Sequence, residues 1–192
     1  ITIPYTDEKV LTLNPRLDVK DDVTKKVLSA EANGQTITWE IDINRSSTSI
    51  TNAKLLETLP EHSSLVSVTK TELKPILKNG NLSLEPVSNT TTPLDVASQT
   101  GRNVEISLGD IDKPYRIHVT TKTDDSSIDQ SKEFETLINH AKLTGEGIKP
   151  GSKTEDSASF TYTLPEKVTK EHIAGVENSG KDSWAVAINP HK

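Results

Sequence analysis

Apolar and polar residues alternate with a period of two along most of the chain. "TITWEIDIN" (36–44) sets Ile37, Trp39, Ile41 and Ile43 against Thr38, Glu40, Asp42 and Asn44, the pattern of a strand with one buried face. "AKLLETLP" (53–60) is a short strand closed by Pro60. "SLVSVTKTEL" and "NLSLEPV" alternate again, with "KNG" as the turn between them. "VEISLGDI" (104–111) and "YRIHVTTKT" (115–123) are expected to pair as neighbours across "DIDKP". "FETLINHAKLTG" (134–145) and "SASFTYTLP" (157–165) complete the series. Helix signals are weak: "DQSKEFETLI" (129–138) offers a single turn, and no stripe with a 3.6-residue period exists. Many short strands separated by Gly, Asn and Pro predict an all-β chain folded as a β-sandwich. The polar stretch "SNTTTPLDVASQTGRN" (88–103) is expected to be a long exposed loop, and the first candidate for a contact surface if the chain binds a ligand.

The opening pattern returns. With Val168 laid on Val23, an ungapped alignment at an offset of 145 gives seven identities in 22 positions. They are Val23/Val168, Thr24/Thr169, Lys25/Lys170, Asn33/Asn178, Trp39/Trp184, Ile43/Ile188 and Asn44/Asn189. Leu28/Ile173 and Ile41/Val186 are conservative. A match that includes a rare Trp argues for a tandem repeat. The expected organisation is a leading segment (1–18), one full domain (19–165) and the opening strands of a second, truncated copy (166–192).

The same alternation places three polar side chains on apolar faces. Val23, Lys25 and Val27 share a face, as do Leu55, Glu57 and Leu59, and also Leu137, Asn139, Ala141 and Leu143. The repeat favours Lys25 over its neighbour, because Lys25 recurs as Lys170 whereas Lys26 becomes Glu171. Lys and Glu are rarely buried, so on sequence arithmetic alone a solvated edge strand comes first. A buried pair is the second reading, since either charge alone in a core is costly. The third is chemical. Desolvation lowers a lysine pKa and raises that of a carboxylic acid, and an uncharged amine is a nucleophile. A protonated Glu57 would then polarise the Asn139 amide and pass a proton to the departing nitrogen. The product would be a Lys25–Asn139 amide with loss of ammonia, formed once.

Composition narrows the function. The 192 residues are 32% hydrophobic and only 4% aromatic, which suits thin β-layers better than a deep core. A net charge of −6 leaves no positive field to hold nucleic acid. No apolar run reaches the ~20 residues needed for a helical membrane span. Cysteine is absent, so any covalent tie would not be a disulfide. None of His62, His118, His140, His172 and His191 has a spaced partner for a zinc site. His140 is expected on the face opposite Asn139, and the few aromatics are expected to face the core. "DDSSIDQSKEFE" (124–135) lacks both the glycine at position six and an oxygen ligand at position five of a calcium loop. No cofactor is expected, and no G-x-S-x-G or phosphate loop occurs.

At "VTK…ITWEIDIN", "ITNAKLLETLPEHSSLV", "VEISLGDIDKPYRIHVTTKT" and "INHAKLTG" the sequence resembles the Ig-like domains of Gram-positive cell-wall-anchored adhesins of the collagen-binding type. The resemblance covers most of residues 20–165. It implies a reverse-Ig sandwich, no enzymatic turnover, and an autocatalytic intramolecular isopeptide bond. Lys25 takes the lysine position, Asn139 the asparagine position and Glu57 that of the promoting acid. Family members often carry Asp at that acid, and "KKV" stands where "KTG" is familiar, which keeps Lys26 as the alternative lysine. The resemblance further implies an extracellular, cell-wall-anchored location and two adhesive roles. One is a stalk of neighbouring repeats that presents an adhesin, favoured by the tandem repeat. The other is a module that itself grips a host extracellular-matrix protein such as collagen.

Overall fold

A computed structural model describes residues 2–6, 9–12, 20–78, 81–129, 131–164, 168–175 and 182–188. The Asn79–Gly80 turn and Asn178, Asn189 and His191 lie outside the described residues. Strand follows strand, as the alternation requires. In chain order they are β1 (Thr2–Thr6), β2 (Lys9–Thr12), β3 (Thr24–Glu31), β4 (Thr36–Ile43) and β5 (Ile50–Thr58). Next come β6 (Ser63–Lys78), β7 (Asn81–Pro86), β8 (Thr92–Pro93), β9 (Val96–Thr100) and β10 (Asn103–Ile111). The last are β11 (Tyr115–Thr123), β12 (Phe134–Glu146), β13 (Glu155–Thr163), β14 (Val168–Gly175) and β15 (Asp182–Ile188).

Two layers form the sandwich. One is a five-stranded sheet in the order β13-β12-β5-β10-β9, the other a six-stranded sheet in the order β3-β4-β11-β6-β7 with β8 against β6. β1 with β2 and β14 with β15 make separate antiparallel hairpins. Inward residues of the two layers meet in one core that includes Val23, Ile37, Trp39, Ile41, Leu55, Ile106, Ile117 and Leu137. Burying each such side chain stabilises the fold by roughly 1.5–3 kcal/mol before chain entropy is set against it. Trp39 is fully enclosed, and its Nε1–H donates to Thr121 Oγ1 at 3.0 Å.

Three expectations need correction. β10 and β11 do not pair with each other: β10 lies between β5 and β9, and β11 between β4 and β6, so the 112–114 link crosses from one layer to the other. Register shifts on both sides of Gly109, at φ +69°, bend the end of β10 out of line. A left-handed residue there suits glycine. The 88–103 stretch is not one loop, because Val96–Thr100 pairs with β10 as an edge strand. Leu94 and Val96 pack against the core and hold it there. Finally, the helical signal in "DQSKEFETLI" is overridden from Phe134 onward by strand β12, while a 3-10 turn at Asp125–Ser127 comes earlier, with Asp124 accepting from the Ser126 N–H.

Asn44 explains one of the repeated positions. It has φ +49°, is fully buried, and its side-chain amide donates to the Thr48 and Lys113 carbonyls while accepting from the Thr48 N–H. An asparagine tolerates the left-handed conformation and closes the turn after β4 with its own side chain.

Candidate functional site

Glu57 sits on the middle strand of the five-stranded sheet. Its row runs Val104–Glu57–Ala141–Asp156 across β10, β5, β12 and β13, and residues opposite one another point to the same face. Asn139 lies two residues before Ala141 on β12, so it shares that inner face. Diagonal neighbours of this kind are roughly 7–8 Å apart between backbones, within reach of a long side chain. Lys25 approaches from the other layer, on edge strand β3 opposite Ile41.

The sandwich is closed where β3 meets β13. Lys153 O accepts from Asp22 N and Val23 N, and Lys153 N donates to Lys20 O. One step further along, Asp156 Oδ2 takes the Lys25 backbone N–H at 2.7 Å. A side-chain carboxylate thus supplies the acceptor that a neighbouring strand would otherwise provide, and β3 is held with Lys25 turned inward.

Lys25 Nζ lies 2.8 Å from Glu57 Oε2, and both side chains are 0% exposed. Asn139 is also fully buried. The reading that put these three residues in solvent is therefore overturned: the interlayer space admits all of them because each shares a face with apolar neighbours. Burial lowers the Lys25 pKa, against the pull of the Glu57 carboxylate. Burial likewise raises the Glu57 pKa, against Lys25 and the nearby Asn139 amide. On both sides desolvation outweighs the mutual attraction and favours the uncharged form. Lys26 points outward and reaches Glu40 instead, at 3.0 Å.

The trio is not saturated. Glu57 Oε1 and both polar atoms of the Asn139 side chain have no hydrogen-bond partner. The amide stands close enough to the carboxyl to influence its ionisation, yet in no hydrogen-bonding alignment. Buried amides without partners are rare and costly. A desolvated lysine, a desolvated carboxyl and an unengaged carboxamide have the makings of nucleophile, proton carrier and acyl donor.

Other polar groups are better satisfied. Glu40, on the outer face of β4, is 5% exposed. Burial pushes its pKa up, but Lys26, His118 and Arg116 outweigh this and hold it low. Arg116 also grips Asp42 through two bonds of 2.7 and 2.8 Å. In the 124–135 stretch, Asp124 and Asp129 accept from Ser126 and Ser131 within their own turns. Among the described residues no group of three metal-ligating side chains occurs. His140 is exposed, on the face opposite Asn139 as expected. The aromatics divide: Trp39 and Tyr162 are buried, whereas Phe134 and Trp184 are about half exposed, at 58% and 50%. A groove of about 770 Å³ crosses the outer face of the five-stranded sheet, between Leu56, Thr58, Ser98, Asn103, His140 and Lys142.

Sequence reasoning found Lys25, Glu57 and Asn139 and missed Asp156. The signal existed, since Asp156 is in phase with Ala158, Phe160 and Tyr162 on the inner face of β13.

This two-layer all-β sandwich is the fold of the collagen-binding surface-protein domains with which it superposes. Residues 21–154 match the collagen-binding domain family, and the chain belongs to that family, whose members are adhesive rather than enzymatic. No curated protein sequence matches it. Among solved structures, the Enterococcus faecalis surface protein ACE, described as binding its ligands by a collagen hug, superposes with a TM-score of 0.50 at 8% identity. That match covers 78% of this chain and 53% of the other. The collagen-binding domain of Erysipelothrix rhusiopathiae RspB gives 0.44 at 16% identity, over 76% and 48% of the two chains. The Staphylococcus aureus collagen adhesin gives 0.43 at 10% identity, over 94% and 54%. At such identities the likeness is one of fold.

Proposed function

We propose that residues 19–165 form an adhesive sandwich domain of a Gram-positive surface protein, welded internally by an amide between Lys25 and Asn139. The observation that carries this reading is the dry Lys25–Glu57 pair beside an unengaged Asn139 amide. The Lys25 amine attacks the Asn139 side-chain carbonyl carbon, forming a C–N bond. Glu57, through its unpartnered oxygen, donates a hydrogen bond to the carbonyl oxygen and then hands a proton to the leaving nitrogen. It recovers a proton from the attacking nitrogen across the 2.8 Å contact. The C–NH2 bond breaks and ammonia leaves. Enforced proximity supplies most of the rate.

The weld would tie the first strand of the sandwich to its penultimate one. Closing a loop of roughly 110 residues stabilises by about 4–5 kcal/mol in the chain-entropy treatment, a useful supplement to a thin core. Tension entering near the two ends of the domain would pass through covalent bonds and spare the strand ladders. A stalk of such domains, anchored to the cell wall and displaying an adhesive tip, is the role we favour. Residues 166–192 would open the next repeat.

A second reading is favoured by the family and by the 770 Å³ groove: the domain itself binds an extracellular-matrix protein such as collagen across the outer face of the five-stranded sheet. Intact mass spectrometry tests the weld. The wild-type chain should weigh one ammonia less than its sequence, and Lys25→Ala, Glu57→Ala and Asn139→Ala should each restore full mass. Full mass in the wild type would end the proposal. Immobilised collagen, fibronectin and fibrinogen separate the two roles, because a pure stalk binds none of them.

A further inference from the structure

Lys25 is held at both ends. Its backbone N–H donates to Asp156 Oδ2 at 2.7 Å, and its Nζ lies 2.8 Å from Glu57 Oε2. The two carboxyls stand in one row, because Ala141 on β12 is opposite both Glu57 on β5 and Asp156 on β13. Two interstrand steps separate them, roughly 10 Å between backbones. One lysine with a carboxyl at each end covers that span. The lysine therefore crosses β12 at Ala141, whose methyl group leaves it room, and Asn139 is the next inward residue on the same strand.

The backbone end of this arrangement depends on one side chain. β3 is the last strand of its sheet and forms its ladder with β4. Lys153 grips the approach to β3 at Lys20, Asp22 and Val23. Among the described residues, the bond from the Lys25 N–H to Asp156 is the one hydrogen bond between β3 itself and β13. Asp156 is locked in turn, since its Oδ1 receives Lys153 Nζ at 2.9 Å.

The same carboxylate acts on the amine electrically. Burial lowers the Lys25 pKa, while Glu57 and, more weakly, Asp156 pull it back up. The groups facing Lys25 from the other packed strands are uncharged: Asn139 on β12 and Ile41 on β4. Asp156 thus helps the reaction by geometry and opposes it by charge.

We propose that Asp156 is a positioning residue for the Lys25–Asn139 weld: it fixes the main-chain end of Lys25 so that the amine meets Glu57 and Asn139, and its charge sets how far into acid the reaction runs. This inference rests on the weld proposed above. Asparagine at this position keeps the acceptor without the charge, and alanine removes both. Height and pH position of the rate profile therefore report separately on geometry and charge.

Full-length chains from cell-free synthesis are held in denaturant, folded by dilution at a series of pH values, quenched and weighed intact. At the optimum pH, Asp156→Ala should lose ammonia roughly tenfold or more slowly, whereas Asp156→Asn should stay close to the wild-type rate. Acid slows the reaction by protonating the amine, and in Asp156→Asn that limb should move about half a pH unit lower. Lys153→Met, which leaves the Asp156 charge less neutralised, should move it higher. A wild-type rate in Asp156→Ala, slowing that Asp156→Asn shares, or an acid limb unmoved in Asp156→Asn or Lys153→Met overturns this inference while the wild-type mass deficit stands. A wild-type chain of full mass removes the weld and this inference with it. The Asp156→Asn and Lys153→Met limbs decide the matter even where Asp156→Ala fails to fold.

Discussion

Glu57 and Glu40 are both nearly excluded from water, at 2% and 5% exposure, yet they are driven in opposite directions. Glu57, between the layers, has one cationic neighbour and an amide, and burial raises its pKa. Glu40, on the outer face of the six-stranded sheet, meets burial with Lys26, Arg116 and His118 at 3.0–3.3 Å, and its pKa falls. Burial alone does not decide the state of a carboxyl; the number of donors that accompany it does. A surface carboxylate given three donors is a structural fixture. A core carboxyl given one donor and an idle amide is pushed toward its protonated form instead.

The largest effect should come from cutting the weld. Asn139→Ala removes the acyl donor while leaving the Lys25–Glu57 pair, and should lower unfolding stability by about 4–5 kcal/mol, read by chemical denaturation together with full intact mass. Glu57→Gln is the sharper probe, because it keeps volume and hydrogen bonding but cannot carry the proton. It should abolish or greatly slow the ammonia loss. The same substitution at Glu40 should leave the mass deficit intact. A weld that survived Glu57→Gln would erase the distinction between the two carboxyls.

The lowered pKa of Lys25 and the raised pKa of Glu57 also predict a pH profile for weld formation. Lys25 must be uncharged, so acidification slows the reaction as the amine takes a proton. Glu57 must be protonated, so alkalinisation slows it as the carboxyl ionises. The rate should pass through a maximum, with the limbs belonging to the coupled pair rather than to either residue. Quenched samples from cell-free synthesis across a range of pH, weighed intact, would trace it. A rate that only rises with pH would show that Glu57 contributes no proton.

How much of this was legible follows from range. Period-two alternation is local, so it found the strands and turned Lys25, Glu57 and Asn139 inward. Layer membership is not local: "VEISLGDI" and "YRIHVTTKT" look like a hairpin, and only the Gly109 bend and the crossing after Ile111 send them to different sheets. The edge strand at 96–100 was hidden because a strand paired on one side needs few apolar residues. Glu40 read as plainly solvent-facing, and its enclosure depends on Lys26 from β3 and Arg116 and His118 from β11 meeting over it. Asp156 was missed for the same reason, because its partner, the Lys25 N–H, belongs to the other layer.

On the surface side of the comparison, Glu40→Gln should cost about 1–2 kcal/mol by weakening charge-assisted bonds around a buried group. Arg116 keeps Asp42, which limits the loss. Added salt should shrink the difference only slightly, since the carboxylate is screened by protein rather than solvent. An effect as large as that of Asn139→Ala would make the outer network, not the weld, the main support of the sandwich.

Asp156 stands between the two cases, half-buried at the seam. Burial pushes its pKa up, but Lys153 and the backbone N–H groups of Lys25 and Ser157 outweigh it and hold it below the ordinary aspartate range. A depressed carboxylate contributes stability that is fully present above its unfolded pKa and is lost as pH falls through the folded one. The seam should therefore loosen only in acid, below about pH 4. Asparagine in its place can still accept the Lys25 N–H but cannot change charge. Asp156→Asn should accordingly cost under ~1 kcal/mol at neutral pH and flatten the acid end of the stability curve, while Asp156→Ala should weaken the seam at every pH. Denaturation midpoints of the three chains between acid and neutral pH would separate a seam held by charge from one held by the bond. If Asp156→Asn and Asp156→Ala behaved alike, the acceptor geometry at Lys25 would have no part in closing the sandwich.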